Sequence, residues 1–306
     1  NYVPLSPLSF LPRSAEVFPD KIALIHGELR QSWGETYTRC RRLASALRRL
    51  GVEPGDTVAV LAPNTPAMYE AHFGVPMAGA VLNTINIRLD AAMIAFILEH
   101  GEAKALLVDR EFAPVAAVDL DDPLYTGGGE RIGEIEYEAF LAGGDPDYAW
   151  QLPDDEWRAL ALNYTSGTTG NPKGVVIHHR GAYLNCFGNA VASVMGANSV
   201  YLWTLPMFHC NGWCYAWTMA LLAGTNVCLR RVETGAIFRP IRDHRVTHLC
   251  GAPIVLNMMI NAPAEERALV DHPIEAMTGG AAPPAAVISR MESMGIAVTH
   301  LYGLTE

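Results

Sequence analysis

Short runs of β-branched and aliphatic residues alternate with longer runs of helical periodicity through most of this 306-residue chain, and that alternation restricts the fold more than any other feature. Val58 to Leu61 reads as a buried strand, Thr65 to Gly79 as a helix and Val81 to Ile85 as a second strand. Asp90 then caps a helix reaching His100, and Ala105 to Val108 is a third strand. The cycle resumes with helices at 180–194, 212–223, 235–244, 253–260 and 285–294, separated by strands at 199–205, 226–229, 247–250, 276–278 and 297–301. Strands joined by helices pair in parallel and need cover on both faces, so an α/β fold with two mostly parallel sheets is expected. Thr36 to Leu50 reads as an amphipathic helix stopped by Gly51, and the proline-rich start, Asn1 to Pro12, as an arm over the surface. The acidic stretch from Asp109 to Asp155, with Gly127-Gly128-Gly129, reads as surface loop with one short helix at Ile135 to Leu141.

Between two apolar runs, 158–164 and 174–177, lies Tyr164-Thr165-Ser166-Gly167-Thr168-Thr169-Gly170-Asn171-Pro172-Lys173-Gly174-Val175. Glycines expose backbone N–H groups, hydroxyls add rotatable donors and Lys173 adds a point charge; together these suit polyphosphate. The flanking runs place the loop between two strands. It is not a Walker loop, which has glycine before its lysine and Ser or Thr after it; here Pro172 and Gly174 hold those positions. By composition alone a solvated turn is an equal alternative.

Half of the side chains are hydrophobic, enough for a large core and two subdomains. A formal net charge of -10, from 32 acidic and 22 basic residues, disfavours a nucleic-acid or anionic-membrane surface. The six cysteines form no C-x-x-C pair, and nothing resembles a secretory leader, so reduced thiols and a cytoplasmic location are expected. His209, Cys210 and Cys214 lack a second ligand pair, and no structural zinc is expected. No apolar run has the length of a membrane span.

Three further segments sit at strand ends, where open α/β sheets form their ligand crevices. Leu205-Pro206-Met207-Phe208-His209 offers an imidazole, although a lone histidine is more often a satisfied core residue. Thr278-Gly279-Gly280-Ala281-Ala282-Pro283-Pro284 is a turn whose glycines admit a flat ligand. Tyr302-Gly303-Leu304-Thr305-Glu306 offers a ring face for a base, a hydroxyl for phosphate and a carboxylate for Mg²⁺.

In this order, the four segments resemble the signature motifs of the adenylate-forming (AMP-binding) superfamily, which includes acyl-CoA synthetases, firefly-type luciferases and nonribosomal peptide synthetase adenylation domains. The resemblance runs from about Phe10 to the end of the chain. It implies the large N-terminal domain of such an enzyme, with two stacked sheets in αβαβα layers and subdomains at about 1–150 and 151–306. It implies that Thr165, Ser166, Gly167, Thr168, Thr169, Gly170 and Lys173 hold the phosphates of ATP. Gly280, Ala281, Ala282, Tyr302, Gly303, Leu304 and Thr305 would hold the rest of the nucleotide, and Thr165 and Glu306 would share Mg²⁺. The catalytic set would be His209, Lys173, Thr305 and Glu306. His209, Trp213, Gly251, Gly279 and Gly280 would line the acyl pocket.

The implied reaction joins a carboxylic acid to AMP and then passes the acyl group to coenzyme A. The family completes it with a mobile C-terminal domain supplying a lysine, and with an aspartate for the ribose hydroxyls; this chain carries neither, and it looks short after Val115. A homodimer is expected from the family. The string His209-Cys210-Asn211-Gly212-Trp213 is most similar to short- and medium-chain acyl-CoA ligases, among them ligases for 3-(methylthio)propionate, the acid ranked first. If Trp213 points into the site it shortens the pocket; the alternative is that Trp213 to Trp217 is helix core. Other readings are an adenylation domain loading a carrier protein, a luciferase-like oxygenase and a nucleotide-binding regulator without catalysis. Cys210 and Asn211, where amino-acid-activating relatives place an aspartate, disfavour the first, and intact Lys173 and Glu306 disfavour the last.

Overall fold

Two sheets organise the computed structural model, which describes residues 2–112, 123–125, 135–165, 172–267 and 270–305. Along the chain the elements are α1 (Phe10–Val17), β1 (Ile22–His26), β2 (Leu29–Ser32), α2 (Trp33–Arg49), β3 (Thr57–Leu61), α3 (Pro66–Met77), β4 (Val81–Thr84), α4 (Ala91–His100), β5 (Ala103–Val108) and β6 (Pro123–Tyr125). They continue with α5 (Tyr137–Ala142), β7 (Ala159–Tyr164), β8 (Gly174–His178), α6 (His179–Ala192), β9 (Val200–Trp203), α7 (Tyr215–Leu222) and β10 (Thr225–Cys228). The last are α8 (Thr234–His244), β11 (His248–Gly251), α9 (Pro253–Ile260), β12 (Ile274–Gly279), α10 (Ala285–Ser293) and β13 (Ile296–Leu301). One sheet runs β6-β5-β3-β4-β7-β8 and the other β13-β12-β11-β9-β10-β1-β2. Neighbours pair in parallel except β7 with β8 and β1 with β2, each at a sheet edge.

Because successive strand residues face opposite ways, each sheet divides its side chains between two cores. Val58, Val60, Leu82 and Leu107 of one sheet and Tyr201, Trp203 and Met277 of the other face inward, where α1, α2, α3 and α7 fill the space with Leu11, Leu43, Phe73 and Trp217. On the outside, Ala59, Leu61 and Leu106 pack against Ile94, Ile97 and Leu98 of α4. Leu202, Val227, Leu249 and Ala276 pack against Phe238, Leu256 and Met291 of α8 to α10. The result is the expected αβαβα stack of mostly parallel sheets. In its middle layer α3 is buried all round, from Met68 to Met77, so even Glu70 and His72 are enclosed. Glu70 is satisfied by Arg39 Nε at 2.6 Å, Tyr137 Oη at 2.7 Å and Gln31 Nε2 at 3.2 Å.

Several expectations need correction. The start of the chain is not a surface arm: Leu8 and Leu11 are fully buried, and α1 packs in the middle layer. The hairpin β1–β2 had no counterpart in the sequence reading, and α2 begins at Trp33 because Ser32 and Glu35 form a reciprocal capping box. The stretch after Asp109 contains β6, paired in parallel with β5. The helix expected at 212–223 begins only at Tyr215, since residues 210–214 adopt left-handed backbone. Each sheet also takes strands from both halves of the chain, so a division near residue 150 coincides with neither sheet. The glycine triplet at 127–129 and the segment after Val115 fall largely outside the described residues.

Candidate active site

The carboxyl ends of β7, β9, β12 and β13 each deliver one of the four motifs. At the end of β7, Thr165 and Lys173 close the base of the hairpin: Thr165 N donates to the Lys173 carbonyl at 3.0 Å, and Lys173 N donates to Thr165 Oγ1 at 3.1 Å. The Lys173 side chain is exposed. Ser166, Gly167, Thr168, Thr169 and Gly170, expected to hold phosphate, lie outside the described residues, as does Glu306.

Past β9, the motif ending in His209 is pinned by Asn64, a fully enclosed amide. Asn64 Nδ2 donates to the carbonyls of Trp203 and Leu205 at 2.7 and 2.9 Å, and Met207 N donates to Asn64 Oδ1 at 2.7 Å. His209 itself is exposed at its rim. Desolvation of its inner side, and then the positive charge of Arg88, lower its pKa. A ring held neutral in this way can donate one N–H to a carboxylate.

The terminal motif reaches this segment: Cys210 Sγ and Thr305 Oγ1 are 3.5 Å apart, and Cys210 Sγ is 3.9 Å from His209 Nδ1. Tyr302 is 85% exposed, which leaves its ring free to stack on a base. Gly303 and Leu304 are exposed beside it. The Gly-Gly turn meets the same segment from β12. A Cβ placed on Gly279 would lie 2.8 Å from Trp213 Cη2 and 3.1 Å from Leu301 Cδ1, so the indole occupies the room a side chain would need. Gly280 has φ +92° with no atom within 4 Å of a notional Cβ, and Ala281 and Ala282 are exposed beside it; this rim is open to a ligand. Gly212 is required twice, by φ +56° and by Trp203 Cζ3, which would stand 2.7 Å from a Cβ.

Thus His209, Trp213, Gly279 and Thr305 are brought to one place, and Thr165 and Lys173 flank the ends of β7 and β8, with Asn163 of β7 hydrogen-bonded to Asn211 of the same turn. Gly251 pairs in register with Thr278 at the end of β11, and a Cβ there would meet Val255 at 3.0 Å. The sequence reading missed Asn64, Asn163 and Thr84, and it gave Asn211 no role beyond the absence of an aspartate. Their only signal was polarity inside otherwise apolar runs, as in Leu162-Asn163-Tyr164. A cavity of about 770 Å³ lined by Gln31, Arg39, Asp109, Glu111 and Arg230 contains no residue of the four motifs; Arg39 in it is paired with Glu70 and Glu138, and Arg230 with Asp109 and Glu111.

Among the described residues no three His, Cys, Asp or Glu side chains gather to hold a metal. Mg²⁺ carried in by phosphate oxygens needs only one or two protein ligands. Thr165 stands where it could provide one; its expected partner, Glu306, is not among the described residues. No helix among them is long and apolar enough to cross a membrane.

A protein-family model described as "AMP-binding enzyme" matches residues 11–306. The acetate/butyrate-CoA ligase AAE7, peroxisomal, of Arabidopsis thaliana is 50% identical over the whole chain, and the acetate-CoA ligase CCL3 of Humulus lupulus is 48% identical. In each case the match covers 58% of the relative, so the chain spans less than two thirds of the curated proteins it matches. Among solved structures, the inhibitor-bound N-terminal domain of FACL13 from Mycobacterium tuberculosis superposes with a TM-score of 0.88 at 28% identity, covering 99% of this chain and 76% of that one.

Proposed function

Because this chain belongs to the AMP-binding enzyme family, we propose that it is the adenylating part of an ATP-dependent ligase joining a short-chain carboxylic acid to coenzyme A. In the first half-reaction a carboxylate oxygen attacks the α-phosphorus of ATP, the bond to pyrophosphate breaks, and acyl-AMP forms. In the second, the thiol of coenzyme A attacks the acyl carbon and AMP leaves. Both steps ask mainly for alignment and charge neutralisation. Neutral His209 donates a hydrogen bond that orients the carboxylate, and Trp213 over Gly279 limits the depth available to the acyl chain. Lys173 and the hydroxyls and N–H groups of 165–170 hold the phosphates, while Thr305 addresses the α-phosphate and Tyr302 stacks on adenine. Thr165 and Glu306 would hold Mg²⁺, which would offset the negative charge of the phosphates.

The observation that carries this reading is the convergence of Thr305, Cys210, Trp213 and Gly279, from three strand ends, on one edge. The packing of Trp213 against Gly279 and the acids named for the Arabidopsis and Humulus relatives support a short acyl chain. Within that class 3-(methylthio)propionate, whose chain is about as long as pentanoate, remains a specific candidate. ATP and coenzyme A are both available in the cytoplasm, where we place the reaction, and a homodimer is the proposed assembly.

The test is acid-dependent exchange of labelled pyrophosphate into ATP by the full-length protein, across acids from acetate to dodecanoate and including 3-(methylthio)propionate, followed by coenzyme A-dependent release of AMP. Exchange peaking at two to five carbons supports the reading. Exchange without coenzyme A-dependent turnover points to a carrier-loading domain, a maximum at dodecanoate removes the short pocket, and no exchange with any acid removes the enzyme.

A further inference from the structure

Five consecutive residues after His209 lie in the left-handed region: Cys210 (φ 43°), Asn211 (40°), Gly212 (56°), Trp213 (52°) and Cys214 (64°). Four of them carry side chains, and L-residues resist this backbone by about 1–2 kcal/mol each. Such a run persists only where its surroundings over-determine it.

The fastening is Asn211, which is fully buried. Its amide oxygen accepts from Asn163 Nδ2, and its backbone N–H donates to Asn163 Oδ1 at 3.1 Å. Its own Nδ2 donates to Thr84 Oγ1 at 3.2 Å, and Thr84 Oγ1 donates to the carbonyl of Phe208 at 3.0 Å. Residues 208 and 211 are therefore tied on both sides of His209 to two neighbouring strands, β4 through Thr84 and β7 through Asn163. Asn163 stands two residues before Thr165, where the phosphate loop begins.

Resting on the adenylation reading above, we propose that Asn211 is a positioning residue. It sets the turn bearing His209 and Trp213 at a fixed offset from the strand that carries the phosphate loop, so that acyl carboxylate and α-phosphorus meet in line. The hairpin β7–β8 is held by its own ladder. Loss of the fastening therefore moves the turn and leaves the loop's base where it is. Effects should fall on the acid and on the chemical step, with little change in ATP binding. A merely structural amide would instead reduce the fraction of active protein and leave both KM values alone.

The experiment is steady-state kinetics of full-length Asn211→Gly, Thr84→Val and the double variant Asn163→Ala/Asn211→Gly, each beside wild type. Glycine accepts positive φ, so Asn211→Gly removes the fastening while keeping the turn's backbone allowed. The expected result is a rise of about tenfold or more in KM for the carboxylic acid with a fall in kcat, since a displacement near 1 Å can cost about a hundredfold. KM for ATP should stay within about twofold, and the double variant should be no worse than Asn211→Gly alone, as members of one network are not additive. An unchanged acid KM, an equal rise in ATP KM, or additive effects in the double variant would each overturn the proposal. If Asn211→Gly does not fold, Thr84→Val, which leaves every left-handed residue in place, decides by the same split between the two KM values. A wild-type protein without acid-dependent exchange defeats the adenylation reading itself, and the positioning role falls with it.

Discussion

Trp213 fills the space in which a side chain at Gly279 would have to stand, with Cζ2 and Cη2 at 3.0 and 2.8 Å from a notional Cβ. The indole and the glycine are complementary, one from the left-handed turn and the other from the end of β12. Trp213→Ala should therefore lengthen the acyl pocket, and Gly279→Ala should push the indole out of place. In a pocket of this kind each methylene discriminates by about 1–3 kcal/mol. We expect kcat/KM of Trp213→Ala to shift toward six to eight carbons by about tenfold or more relative to acetate. An unchanged chain-length profile shows that Trp213 does not bound the pocket.

Lys173 is exposed and takes part in the hairpin only through its backbone. Lys173→Ala should leave the thermal midpoint unchanged while lowering pyrophosphate exchange by about a hundredfold, the usual consequence of removing a preorganised charge from a phosphate or oxyanion site. Chelation of Mg²⁺ should abolish exchange in the wild type. Loss of activity accompanied by a matching fall in stability would mean that the lysine supports the fold.

Burial of Glu70 gives a stability test free of the active site. Its side chain has no solvent exposure and is paired with Arg39, whose side chain is 27% exposed. Arg39→Met strands a buried carboxylate and should cost about 3–5 kcal/mol in urea unfolding, whereas Arg39→Met/Glu70→Leu should recover much of that. A double variant as unstable as Arg39→Met would show that packing, and not the unpaired charge, is responsible.

His72 and His179 are both pushed down to about 4, chiefly by burial, with the charge of His178 adding to the shift at His179. Unfolded, each takes up a proton near pH 6.5. Above that pH neither state is protonated at these groups and they impose no pH dependence. As pH falls from 6.5 to 4 the unfolded chain binds protons that the native state refuses. Stability should drop by about 1.4 kcal/mol per pH unit for each group and level off below pH 4 as far as these two are concerned. Denaturant midpoints of wild type and His72→Gln between pH 7 and 4 check this: the variant should show the shallower slope.

The alternation of strand and helix was legible because each run is long and is punctuated locally: Asp90 caps α4, Thr65 caps α3 and Pro253 opens α9. The hairpin β1–β2 was not, since β2 is a short, partly exposed Leu29-Arg30-Gln31-Ser32 stretch without apolar alternation, and the strand that flanks β1 on its other side is far away in sequence; Leu24 lies in register with Asn226. For the same reason the sheets could not be assigned to halves of the chain. At the site, motif order brought His209, Trp213, Gly279 and Thr305 to attention, and the structure gathers them. The sequence carried no sign of the left-handed run at 210–214, in which apolar side chains follow helical spacing while the backbone turns the other way.

The exchange of strands between the two halves also bears on how this molecule is made. While the ribosome is still synthesising residue 200, β1 waits without the β10 strand that will flank it, for Leu24 and Asn226 are joined only after two hundred more residues have emerged, a delay of about 10–40 s at about 5–20 residues per second. Until then its apolar face needs shielding by α1 and α2 or by a chaperone, and a nascent chain released early has one of its sheets open at an edge. A stalled translation product is thus expected to be captured by holdases over a long window, closing only when Thr225 to Cys228 clears the exit tunnel.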